Sequence, residues 1–203
     1  MHTDATPNTQ HLMRLFRQAT TTQFEAGVNW YPEANRIARE LATEGDISVE
    51  AAAGIIAALS PLNGWGANVK LARRFILSGG TLDSGYLSLG LAKAARIYNG
   101  ADPEAVLTSL KVGNFYRQIV SAGAAADIVI DRHAWSAVVN RRYPEGTIPK
   151  LTDKRYAAAA ERYTRAAKLA GVLPGEFQAI VWLVWRNKFW AEGAFDSYAE
   201  SAA

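Results

Sequence analysis

The sequence contains no cysteine. That excludes disulfides, thiolate zinc sites and cysteine-ligated iron–sulfur clusters. Histidine is scarce: His2, His11 and His133 lack metal-ligand spacing, so no metal is expected. Long apolar runs are missing too. The longest, residues 51–59 and 179–185, fall far short of the roughly 20 residues a bilayer crossing needs, and no membrane partner is expected. Met1-His2-Thr3-Asp4 shows no basic stretch followed by an apolar one, so no signal peptide is read and a cytoplasmic location is the expectation. The chain carries no phosphate-binding loop, dinucleotide fingerprint or nucleophile elbow, and no cofactor is expected. Internal repeats are absent.

What is present suffices for a sizeable core. Of 203 residues, 49% are hydrophobic and 20% charged, which suits one compact domain rather than a disordered chain. The net charge of +3 is unevenly placed. Residues 1–50 hold 4 basic and 7 acidic side chains (−3), and residues 51–203 hold 18 and 12 (+6). A polyanionic partner is compatible with that asymmetry.

Alanine is abundant and apolar residues recur at three and four, so the spacing predicts an all-α fold. Helices are expected over 11–26, over a second segment with Pro32 in its first turn, and over 49–59 behind Ser48 as N-cap. Others are expected over 68–77, 91–98, a short piece started by Asp102-Pro103, 114–122, 132–142, 153–170 and 177–190. Residues 110–113 read as a tight glycine turn, and 191–203 as a flexible tail.

Four segments can carry chemistry. Asp131 follows the apolar run Ile128-Val129-Ile130 and precedes Arg132-His133 at a helix start, where free amides and the dipole favour its ionised form. It is either a plain N-cap or a charged group that orients water or stabilises a cation. Lys111, Val112, Gly113 and Asn114 form a turn that is either an ordinary connection or a presenter of amides to a phosphate. Asn63, an exposed-looking Trp65 and Asn68 lie in a loop that reaches a ligand or, alternatively, covers the core while Asn68 caps the next helix. Trp30 and Tyr31 either stack on a base or pack inside.

The order of these pieces resembles the helix–hairpin–helix DNA glycosylase superfamily, the endonuclease III-like base-excision fold. Ala57-Ala58-Leu59-Ser60 followed by Asn68-Val69-Lys70 looks like its "LLS" helix end, loop and next helix. Gly90-Leu91 with Lys93-Ala94 and Ile97 is similar to its "G-(F/L)-x-x-x-K-A-x-x-I" stretch. Leu110-Lys111-Val112-Gly113 stands where that family has "L-P-G-(V/I)-G", and Val129-Ile130-Asp131-Arg132-His133 resembles its "V-D-T-H" signature. Pro174-Gly175-Glu176-Phe177 and Trp182 resemble its late helix. The likeness spans residues 48–190.

The resemblance implies two lobes, a hairpin lobe of about 48–130 and a second built from the N- and C-terminal helices. It implies that Asp131 is the catalytic carboxylate and that the turn at Val112-Gly113 holds a DNA phosphate. The loop 62–66 would lie against the gap left by a flipped base. Phe115 falls near the position of the Schiff-base lysine of bifunctional members, so no lyase is implied. The expected function is a monofunctional DNA glycosylase that hydrolyses the N-glycosidic bond of a damaged or modified base in duplex or single-stranded DNA. Lys111, Arg132 and His133 would then contact DNA, and Trp30 and Tyr31 would face the base. Two alternatives keep the fold: a phage-type protein of base hypermodification, and a non-catalytic DNA-binding or host-interaction protein; a third reading is a helical protein with no DNA role.

Overall fold

A computed structural model describes residues 5–143 and 146–189; the tail 191–203 lies outside the described residues. The described part is all-helical. In chain order the helices are α1 (Thr9–Phe16), α2 (Thr21–Val28), α3 (Trp30–Gly45), α4 (Val49–Ala58), α5 (Trp65–Leu77), α6 (Ser88–Tyr98), α7 (Pro103–Val106), α8 (Leu110–Val120), α9 (Arg132–Val138), α10 (Asp153–Ala170) and α11 (Pro174–Phe189).

The chain divides into two compact units. Among the described residues, the first joins 5–31 with those of 123–189, and the second holds residues 32–122. In the second unit α4 is the core helix. Ser48 caps it by accepting from the Ala51 amide at 3.0 Å, and its residues from Ala52 to Ala58 are buried. It packs against α5, α6, α7 and α8. In the first unit α11 is the core helix, packed against α1, α2, α9 and α10. Trp135, Tyr163, Phe177 and Trp185 fill that core. Large aromatic rings bury much apolar area per residue, so this unit's stability rests heavily on them.

Four boundaries differ from the periodicity, each for a local reason. Residues 11–26 are two helices, because Thr20 and Gln23 form a reciprocal capping box that starts α2 afresh. Helix α5 begins at Trp65 behind Gly64, three residues before Asn68. Helix α8 begins at Leu110, so residues 110–113 are its first turn and not a glycine turn; the Gly113 amide donates to the Ser109 carbonyl at 2.9 Å. Helix α9 stops at Val138. There Asn140 takes φ 50° and the Arg141 amide donates back to the Ser136 carbonyl, the pairing of a Schellman stop.

Candidate active site around Asp131

The approach to Asp131 is built by the apolar segment Ile128-Val129-Ile130, whose side chains are buried. Tyr156 of α10 fastens it. Its hydroxyl accepts from the Ile130 amide at 3.0 Å and donates to the Ile128 carbonyl at 2.8 Å. The chain then turns into α9 with Asp131 in extended geometry as the N-cap. Asp131 Oδ1 accepts from the Ala134 amide at 2.7 Å. Asp131 Oδ2 accepts from Trp182 Nε1 at 2.9 Å. The cap reading and a positioned carboxylate are therefore compatible, since one oxygen serves each purpose. The residue is half-buried rather than sealed.

Trp182 sits in a ring of contacts. Its ring centroid is 5.3 Å from that of Trp30 and 6.0 Å from that of His133, which meets it edge-on. The Arg186 guanidinium lies 4.6 Å over the same indole. Trp30, His133, Trp182 and Arg186 are all half-buried. An anion, aromatic faces and a cation thus share one locality, a combination that suits a flat, polar ring attached to a charged backbone.

Below this layer lie two buried phenols. Tyr31 is 3% exposed and donates to Gln178 Oε1 at 2.8 Å. Burial, then the charge of Asp131, then Tyr156 push its phenol well above the usual range. Burial and, after it, Asp131 do the same to Tyr163, which donates to the Ala134 carbonyl at 3.0 Å. Both stay neutral at ordinary pH and serve as structural donors. Tyr31, expected to face a base, therefore corrects to a core residue; Trp30 is half-buried.

Sequence reasoning missed Gln178, Trp182 and Arg186 as a set. They lie four residues apart along α11, hence on one stripe of that helix, and polar or amphipathic residues at that spacing in an apolar helix were the available signal.

Arg132 and His133, in the first turn of α9, flank Asp131 and are half-buried. The remaining candidates belong to the second unit. Asn63 is half-buried, its amide reaching the Leu59 carbonyl at 3.4 Å. Trp65, read either as reaching a ligand or as covering the core, takes the second role: it is 8% exposed and lies edge-on to Phe115 at 6.3 Å. Asn68 is not a cap but lies inside α5, donating to the Ile56 carbonyl at 3.1 Å with 1% exposure. Asn114 is also buried, its carbonyl accepting from Arg117. Burial removes Trp65, Asn68 and Asn114 from direct contact with a partner. Val112 is buried and Lys111 half-buried. Gly113 has a steric duty: a Cβ there would stand 2.7 Å from the Leu107 carbonyl oxygen.

Among the described residues no three of His, Asp and Glu gather as metal ligands, and no single helix is long and apolar enough to cross a membrane. The profile of a protein family described as a family of unknown function, DUF7178, matches residues 2–189. No curated protein matches the chain, and no solved structure does.

Proposed function

The chain belongs to the DUF7178 family, whose description assigns no activity, and we propose from its own residues that it is a DNA-binding glycosylase of the base-excision type. The observation that carries the reading is the Asp131 carboxylate: half-buried, one oxygen on the Ala134 amide, the other on the Trp182 indole, with Trp30 and Arg186 beside that indole. Hydrolysis of an N-glycosidic bond needs such a group. As the C1′–N bond breaks, its electron pair leaves on the base and positive charge grows on the sugar, as in glycoside hydrolysis. A fixed carboxylate lowers the energy of that charge without reorganising. Water then bonds to C1′ through its oxygen. One of its protons ends on the departing base and the other stays in the new sugar hydroxyl.

The likeness of the Val129–His133 segment to the glycosylase signature supports the same assignment, as does the +6 balance of residues 51–203. Arg132 and His133 would contact the phosphate backbone, Lys111 is a separate candidate contact in the second unit, and Trp30 would offer an aromatic face to the extruded base. The test is a panel of duplexes and single strands carrying damaged or modified bases, assayed for free base and for new abasic sites. Base release from at least one substrate, with binding that weakens as salt rises, is expected. Salt-dependent binding with no release from any substrate would leave a non-catalytic DNA-binding protein instead.

A further inference from the structure

We infer that Trp182 is a positioning residue for the Asp131 carboxylate, acting through its indole N–H and not through its ring alone. The inference rests on the glycosylase reading above and deepens it. The indole and the carboxylate lie 51 residues apart in sequence and 2.9 Å apart in space. A carboxylate has two oxygens, and capping needs only one of them. The Ala134 amide satisfies Oδ1 and with it the helix start. The second donor is superfluous for capping. It sets the rotation of the carboxylate about its last bond and leaves each oxygen a further lone pair for water or a cation.

The donor itself is held in place. Trp30 packs at 5.3 Å, His133 meets it edge-on, and Arg186 stands 4.6 Å over its face. An aromatic ring in contact on several sides has little freedom to turn, so its N–H vector is a stable reference for the acid. The guanidinium also draws electron density toward it, which sharpens the N–H as a donor. Hydrogen bonds to a charged acceptor are the strong kind, and this one is partly shielded from water.

Trp182→Phe tests the idea, because it keeps an aromatic ring beside Trp30 and Arg186 and removes only the donor. Asp131→Asn and Trp182→Leu are the companions. We expect Trp182→Phe to stay folded, to keep KM within about twofold, and to lose kcat for base release by roughly ten- to a hundredfold. Trp182→Leu should lose more. An activity-independent reading comes from the indole resonances in a ¹H–¹⁵N spectrum. One indole N–H, absent in Trp182→Phe, should be protected from exchange in the wild type and lose that protection in Asp131→Asn.

A Trp182→Phe variant with wild-type kcat, in a protein whose Asp131→Asn form is impaired, overturns the positioning role and leaves the glycosylase reading standing. An unprotected Trp182 indole in the wild type overturns it as well. A wild type that releases no base from any substrate overturns the glycosylase reading, and the role assigned to Trp182 falls with it.

Discussion

The hydroxyl of Tyr156 bridges Ile128 and Ile130, accepting from the amide of Ile130 and donating to the carbonyl of Ile128 across 3.0 and 2.8 Å. A side chain from α10 thereby does for this extended segment what a neighbouring strand does in a sheet. It satisfies backbone groups that are buried and have no helix to join. The segment ends at Asp131, so this bridge also sets where the carboxylate begins.

Removing that hydroxyl should therefore cost more than one ordinary hydrogen bond. Tyr156→Phe leaves the buried Ile130 amide without its phenol acceptor, a loss of about 1–3 kcal/mol. Urea unfolding should show a lower midpoint with an unchanged slope. Under the proposed glycosylase activity, base release should drop too, since the entry to α9 loosens.

Two helices of the first unit touch through a glycine. A Cβ on Gly27 of α2 would stand 2.3 Å from Ile180 Cγ1 and 2.7 Å from its Cα, and the backbone of α11 cannot give way as a side-chain tip can. Gly27→Ala is expected to destabilise by about 1–3 kcal/mol through overpacking, despite alanine's better helix propensity. A lowered thermal midpoint checks it; an unchanged or raised one contradicts the close approach.

Alkaline pH should unfold the protein through its buried phenols. Tyr31 and Tyr163 hold their protons in the folded state well above the usual range and release them near pH 10 when unfolded. The unfolded state then binds fewer protons than the folded one, so stability is intact below about pH 10 and falls as pH rises beyond it. Each phenol contributes a slope that steepens through pH 10 and approaches about 1.4 kcal/mol per pH unit well above it. Unfolding midpoints between pH 9 and 11 give the measurement, and Tyr31→Phe should flatten the decline.

Gly113 separates a steric role from a phosphate-binding one. The Leu107 carbonyl occupies the space a Cβ would need. Gly113→Ala should lower the thermal midpoint in the absence of any DNA. Arg132→Ala should leave that midpoint nearly unchanged and, under the proposed DNA binding, reduce the salt slope of that binding by about one.

Helix identity was legible from residue spacing, and so were several starts. Ser48, Asp102 and Asp131 all cap the helices they precede, because short polar side chains before an apolar period have few better uses. The break after Phe16 was hidden. Thr20 and Gln23 make a capping box inside what reads as one amphipathic stripe, and the apolar period continues across it. The site itself was half legible. Asp131 stands out locally, but its partner Trp182 is tied to it only through tertiary packing, and an indole in an apolar helix reads first as core. Tyr31 and Trp65 show the converse: aromatics at helix junctions that look available and are spent on packing.

The most direct test of the catalytic assignment is single-turnover release of base from a modified duplex, measured side by side for the wild type and Asp131→Asn at equal DNA occupancy. The account predicts release by the wild type and a rate lower by about a hundredfold or more in the variant. Equal rates from the two proteins would contradict it.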